Sequence, residues 1–257
     1  MILLANMNRQ HAALITLLQT TDASILLIQE PWWGHLVPKP SDTDKDGIKV
    51  KGTCTHPNWH TITPPSHIDS PEHHITIFIR TDITASLTYS VLSQMMSYSC
   101  IEICLDVKPP LFIINYHYHV IDHRSSLEHL IGIPLPASPL IIGRDFNTHS
   151  PCWSPPDLTT SPWAPQLKSW IECEDLLSLI LEGLLTCRGS AGRPSLIDHF
   201  FVNLPFLANP FFPSTCSVSF NQSISFDHAA LFLNLPLLIP PTPPPSEIGW
   251  KIVNVIK

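Results

Sequence analysis

The hydrophobic pattern of this chain predicts an α/β fold of the α+β kind, layered sheets with a few helices. Short apolar runs of strand length recur from the first residues to about position 235, and helical spacing interrupts them in only three places. A hydrophobic content of 44% against 14% charged residues is enough to bury a sizeable core, and 257 residues fit one large domain.

The elements follow in order. Residues 1–5 read as a short buried strand. A helix comes next, with Ala13, Leu14, Leu17 and Leu18 on one face and Asn8 near its start as a cap. Ile25, Leu26, Leu27 and Ile28 form a second buried strand that ends at Glu30. Residues 31–73, rich in Pro, His, Asp and Thr, lack periodicity and read as a long loop. Strand signals then crowd at 74–80, 84–91, 99–107 and 111–118, as in the meander of one sheet. A short helix is predicted over 124–131, and a buried strand over 139–143 stops at Asp145. Ser161-Pro162 suits a helix start, with Trp163, Leu167, Trp170 and Ile171 turned inward. Strands at 196–202, 214–220 and 229–235 complete the domain, so its expected extent is 1–235. The remainder, 236–257, reads as a stiff proline-rich linker followed by a truncated C-terminal segment.

Composition narrows the class. The seven cysteines are odd in number, scattered and without a C-x-x-C pair, which argues for reduced thiols in an intracellular protein and against a disulfide framework or zinc ribbon. No secretory segment is visible, so the glycosylation sequon at Asn221 carries no weight. No apolar run approaches the ~20 residues that span a bilayer, and no membrane partner is expected. The formal charge of −7 is unusual for a nucleic-acid binder, which needs a basic footprint. Four of the acids are candidates for a cation site; setting them aside leaves 17 of the 21 against 14 bases.

The candidate chemistry lies at predicted strand ends. Asn6 ends the first strand and Glu30 closes the second; Asp145 and Asn147 close the strand at 139–143. Asp198 heads the run Phe200-Phe201-Val202, and Asp227-His228 open the last strand. Strand ends on one rim converge, so these groups can share a pocket. Inward-facing carboxylates repel strongly at low dielectric unless a cation joins them, and hard oxygen donors favour Mg²⁺ or Mn²⁺. A histidine beside them adds a group that exchanges protons near neutral pH, which suits phosphoryl transfer to water. Each residue also has a plainer reading. Glu30 before Pro31 suits a loop acid, Asp145 an Asx-turn with Asn147, Asp198 a pair with Arg193, and His228 a core histidine. Cys54, His56 and His60 hint at a second metal, but spacing in a proline-rich loop is a poor ligand argument. Trp32-Trp33 suits either a base-stacking pair or a hydrophobic loop anchor.

Five segments in order carry a family resemblance. Gly143-Arg144-Asp145-Phe146-Asn147-Thr148-His149 with Trp153 resembles the G-G-D-F-N-x-H…W segment of the endonuclease/exonuclease/phosphatase superfamily, and more narrowly its non-LTR retrotransposon endonucleases. Asn6-Met7-Asn8 is similar to the opening N-x-N, and Ile28-Gln29-Glu30-Pro31-Trp32 to L-Q-E-P-W. The run from Ser195 to Val202 is similar to S-x-I-D-x-x-F-V, and the run from Ser225 to Leu231 to S-D-H-A-A-L. The resemblance spans about residues 1–235 and implies a four-layer αββα sandwich.

The resemblance also implies roles. Glu30 and Asp227 would hold Mg²⁺ or Mn²⁺ with Asn6 at its edge. Asp145 would position or deprotonate the attacking water, and Asn147 would hydrogen-bond the scissile phosphate. His228, oriented by Asp198, would act as acid/base or stabilise the pentacovalent phosphate. The substrate would be nuclear DNA, nicked to leave a 3′-hydroxyl that primes reverse transcription by a further domain downstream. Three departures stand out. Phe226 sits where the family places Ser before Asp-His, and Arg144 replaces the second Gly, either to contact a phosphate or as a solvated side chain. By strand register, His117 takes the place of a catalytic Tyr, as in the secreted deoxyribonuclease branch; a shifted register would use Tyr118. The alternatives are a phosphoesterase of the same fold acting on inositol phosphates or phospholipid headgroups, and a decayed, non-catalytic remnant.

Overall fold

A computed structural model describes residues 1–36, 50–63, 66–67, 72–85, 87–95, 97–104, 109–117, 123–154, 158–181, 183–188, 194–221 and 227–235. The first sheet grows from one β-helix-β unit. Strand β1 (Ile2–Asn6) leads through helix α1 (His11–Thr20) to β2 (Ile25–Gln29), which lies parallel to it. Both strands are buried along their whole length, which is why they read as continuous apolar runs and not as alternation. After the short strands β3 (Gly34–Leu36), β4 (Val50–Gly52), β5 (Trp59–Thr61) and β6 (Ser66–His67), strand β7 (Ile75–Arg80) pairs antiparallel with β2 and β5.

The second sheet repeats the plan. A 3₁₀ turn at Ile83–Ala85 precedes β8 (Thr88–Gln94), β9 (Tyr98–Cys104) and β10 (Leu111–His117). Helix α2 (His123–Ile131) then crosses to β11 (Leu140–Asp145), parallel to β10. Helix α3 (Ala164–Cys173), β12 (Leu176–Ser178), β13 (Asp198–Asn203) and the short α4 (Leu204–Leu207) follow. Strands β14 (Thr215–Ser219) and β15 (Ala230–Asn234) return to the first sheet, where β15 runs antiparallel to β1. The orders are β14-β15-β1-β2-β7-β5 and β12-β13-β11-β10-β9-β8, with a small third sheet β3-β4-β6. Each large sheet therefore holds one parallel pair flanked by antiparallel strands.

Three apolar clusters make four layers. Ile2, Leu4, Leu27 and Ile77 of the first sheet meet Ile101, Ile113, Ile141 and Phe200 of the second between the sheets. Leu3, Leu26 and Phe78 pack outward under Leu14, Leu17 and Leu18 of α1. Ile114, Ile142 and Phe201 pack outward under Leu127 and Leu130 of α2 and Leu167 and Trp170 of α3. Gly143 faces inward, where an added Cβ would lie 2.5 Å from Leu27 Cδ1 of the first sheet.

The expected α/β sandwich is present, with local differences. The supposed meander is split: β7 belongs to the first sheet and β8 to β10 to the second, because β7 completes the hydrogen bonding of β2. The described residues of the loop over 31–73 include four short strands, too brief for a periodic signal. Helix α1 starts at His11 after Gln10, since Asn8 and Arg9 adopt left-handed φ of 43° and 59° that no helix start accepts. Helix α3 starts at Ala164 with Pro165 in its first turn, and the Ser161 hydroxyl accepts from His149 N instead of capping it. All seven cysteines are free, and among the described residues no helix is long and apolar enough to cross a membrane. The segment 236–257, Tyr118, Arg193 and Phe226 lie outside the described residues.

Candidate active site

The carboxyl ends of both parallel pairs open onto one rim, and the site is built there. This placement obeys a general rule of α/β sheets, whose ligands gather at the carboxyl ends of parallel strands. In the second sheet His117, Asp145 and Asp198 are cross-strand neighbours on β10, β11 and β13. They form a buried row facing the first sheet. From the first sheet come Asn6 at the end of β1 and Glu30 just past β2, paired in register through Asn6 and Gln29.

Each side chain is held by named partners. Asn6 Oδ1 accepts from the backbone N–H of Asn8 at 2.9 Å, which turns its Nδ2 to donate to Asp145 Oδ2 at 3.2 Å. Asp145 Oδ1 accepts from Asn147 N at 2.8 Å, and Asn147 takes a left-handed φ of 48° to make that turn. Trp153 Nε1 donates to the Thr148 carbonyl at 2.9 Å, which secures the loop after Asp145. Glu30, also left-handed at φ 43°, accepts at Oε1 from His117 Nε2 at 3.1 Å. That hydrogen bond, reinforced by Asn6 and His228, holds the Glu30 carboxyl down at about 2 against the opposing effect of burial.

His228 completes the constellation. Its Nδ1 donates to both oxygens of Asp198, at 3.1 and 3.0 Å, while Nε2 points toward Asp145 Oδ2 at 3.9 Å. Burial opposes a charge on this ring, yet the Asp198 carboxylate, its hydrogen bond, Cys187 and Asp145 outweigh it and the pKa is raised. Burial pushes Asp198 up to about 6, countered by His228. The pair therefore holds a proton tightly between His228 Nδ1 and the Asp198 carboxylate.

Asp145, Asp198 and His228 each offer a ligand atom within 4.8 Å of the others. Asp227 follows a different course. It is half-buried, its carbonyl accepts from Arg188 N at 2.7 Å, and its Oδ1 is buried without a hydrogen-bond partner among the described residues. The open, buried carboxylate oxygen of Asp227 and the ionised Glu30 are oxygen donors that suit a hard divalent cation, whereas the cluster of Asp145, Asp198 and His228 adds a nitrogen.

Several residues of the site gave no signal in the sequence. Thr186 Oγ1 accepts from the backbone N–H of both Ile197 and Asp198 at 3.0 Å, and its carbonyl accepts from Ala229 N at 2.7 Å. Cys187 forms isolated bridges to Ser195 and to His228. Residues 186–188 thus tie the Asp198 strand to the His228 segment, a long-range pairing with no local pattern. Arg144 departs from both roles expected of it. It alternates with Gly143 and Asp145 and so points outward, fully buried, with its guanidinium 4.5 Å from the Tyr116 ring and 3.8 Å from the Phe146 ring. It does not reach solvent. Tyr116 shares that outer face, as the register of β10 requires, and His117 takes the inner one. Trp32 packs on His11 and Trp33 on His73, as loop anchors do. His60 lies against Tyr89, and His56 Nδ1 accepts from Asn58 N.

Comparison with known proteins agrees with this fold. A model of the Endonuclease/Exonuclease/phosphatase family matches residues 3–219. The chain belongs to this family. Its members are hydrolases acting on phosphodiester bonds and are generally dependent on divalent metals. The family match ends before Asp227 and His228, and the fold returns His228 to the same rim. Among solved structures the chain is similar to the endonuclease domain of TRAS1, a telomere-specific non-LTR retrotransposon. The two share 18% identity with a TM-score of 0.57, over 92% of this chain and 98% of that one. It is similar also to the Xenopus laevis APE2 catalytic domain (13%, 0.53, 91% and 91%) and to an AP endonuclease from Archaeoglobus fulgidus (13%, 0.52, 91% and 98%). At these identities the likeness is one of fold. Among curated proteins none matches the chain.

Proposed function

We propose that this family member is a Mg²⁺- or Mn²⁺-dependent endonuclease that nicks DNA and leaves a 3′-hydroxyl, of the kind non-LTR retrotransposons use to prime reverse transcription. The observation that carries the reading is His228 held on Asp198 through Nδ1 with Nε2 turned to Asp145. Asp145 has its two oxygens fixed by Asn6 and Asn147, and the remaining lone pairs point a water at phosphorus. That water gives one proton to Asp145 as the P–O3′ bond breaks in line, and the departing O3′ takes a proton from solvent to become the 3′-hydroxyl. Asn147 donates to a non-bridging phosphate oxygen. The His228 imidazolium stabilises the charge of the pentacovalent phosphate, and Asp198 keeps it charged and oriented. Glu30 and Asp227 would hold the cation, with Asn6 at its edge, and His117 steadies Glu30. When bound, the cation would supply Lewis-acid stabilisation of the developing charge.

DNA as the substrate rests on the five retrotransposon-type segments and on the end-to-end likeness in fold to the TRAS1 domain. The same reading proposes a nuclear setting and a reverse-transcriptase domain as partner. The charge of −7 favours a competing reading, a non-catalytic descendant used for interaction. Supercoiled plasmid with Mg²⁺ separates the two. Wild-type protein converts it to open circles, and Asp145→Ala and His228→Ala slow the reaction by about 10²-fold or more. No nicking above those variants refutes the enzyme.

A further inference from the structure

The unassigned thiol beside the catalytic histidine has a consequence for metals. Cys187 Sγ lies 4.0 Å from His228 Nε2, on the ring nitrogen that also faces Asp145 Oδ2 at 3.9 Å. Both Cys187 and His228 are buried, and the opposite ring nitrogen is anchored by Asp198. A carboxylate fixing one imidazole nitrogen while the other meets sulfur and oxygen donors is the arrangement in which proteins hold zinc. In a tetrahedral zinc site, bonds of about 2.0–2.3 Å put neighbouring donors roughly 3.3–3.8 Å apart. The 4.0 and 3.9 Å separations that His228 Nε2 makes with Cys187 Sγ and with Asp145 Oδ2 come within that range on shifts of tenths of an ångström, while Cys187 and Asp145 close on each other by a larger side-chain rotation.

We propose that His228 Nε2 and Cys187 Sγ, with Asp145 as a third donor, form a site for a thiophilic divalent cation, zinc or cadmium, separate from the oxygen-donor site at Glu30 and Asp227. Binding displaces the thiol proton of Cys187 and the Nε2 proton of His228 to solvent and leaves the metal in their place. Magnesium does not compete there, because it avoids sulfur. Occupancy removes the imidazolium from the reaction, so the nuclease is blocked by zinc while saturated with magnesium. The blocking rests on the proposed function; the binding does not.

Cadmium titration in excess Mg²⁺, read by the thiolate-to-cadmium charge-transfer band in the ultraviolet, tests the binding without any need for activity. Wild-type protein and Cys173→Ser, which alters an exposed thiol, are expected to titrate alike. Cys187→Ser and His228→Asn are expected to lose about tenfold or more in affinity. A band undiminished in either of the last two overturns the site. Should a variant misfold, cadmium-113 NMR of the wild type decides, since a resonance typical of all-oxygen ligation refutes it. If the wild type nicks DNA, the half-inhibitory zinc concentration, scaled to each variant's own rate, rises about tenfold or more in Cys187→Ser. An unchanged value refutes the blocking. A protein that binds cadmium through Cys187 but never nicks refutes the endonuclease reading and leaves the metal site standing.

Discussion

His228 stands between two carboxylates with different duties, one as its anchor and one as its neighbour across the reaction space. Its raised pKa sets the sign of a stability effect. The folded protein keeps a proton that the unfolded chain releases above the ordinary value of 6.5, so the contribution is complete below that pH and shrinks as pH rises. Relative to His228→Asn, wild-type unfolding free energy in urea is therefore expected to fall as pH increases from about 6.5. A constant difference between pH 6 and 9 would contradict the Asp198–His228 pair. Arg144 shows how one residue's meaning depends on which way its strand faces. Its guanidinium sits among Tyr116, Phe146 and His199, and burial together with this cation holds the His199 pKa down at about 3. His199 thus stays neutral beside it, a packing role for a histidine next in sequence to Asp198.

Between the sheets, polar side chains do what apolar contacts cannot, because dispersion has no direction and hydrogen bonds do. Asn115 of β10 donates through Nδ2 to the carbonyls of Ile28 and Thr76, at 3.0 and 2.9 Å. Gln29 of β2 donates back to the Tyr116 carbonyl at 2.8 Å. Both residues are fully buried and lie one rung from the Glu30–His117 contact. These ties fix the sliding position of one sheet on the other, and with it the spacing of the groups on the rim. Asn115→Leu is expected to cost about 1–3 kcal/mol in chemical unfolding and to raise the Mg²⁺ concentration needed for half-maximal nicking. Unchanged stability together with an unchanged metal requirement would show that the ties do not position the site.

The molecule as a whole carries an acidic balance. On the proposed reading Glu30, Asp145, Asp198 and Asp227 face the phosphodiester and repel it until cations offset them. DNA binding by the intact protein, followed by fluorescence anisotropy with Ca²⁺ or Mg²⁺ against a chelator, is expected to tighten on the order of tenfold with the cation. Equal affinity in both conditions would place the DNA surface away from this rim. The two sheets share a plan, each with a parallel pair joined through a helix and ending on the same edge. Four strand ends from distant parts of the chain thus meet without any one loop having to carry the chemistry.

Local patterns in the sequence determined the long strands, the α+β layered class and the identities of the groups at strand ends, because burial on both faces leaves unbroken apolar runs and the polar residue that ends each run stands out; the sandwich itself came from the family resemblance. The same patterns were silent on pairing. Which sheet takes β7, which face takes Arg144 and His117, and where residues 186–188 bridge Asp198 to His228 depend on contacts between segments far apart in the chain. Short strands such as β3 to β6 and the left-handed turns at Asn8, Glu30 and Asn147 were equally hidden, since neighbouring structure and not local propensity holds them in place. Only the tertiary structure decided that Cys187 lies against the histidine, for no spacing rule connects residues 41 positions apart.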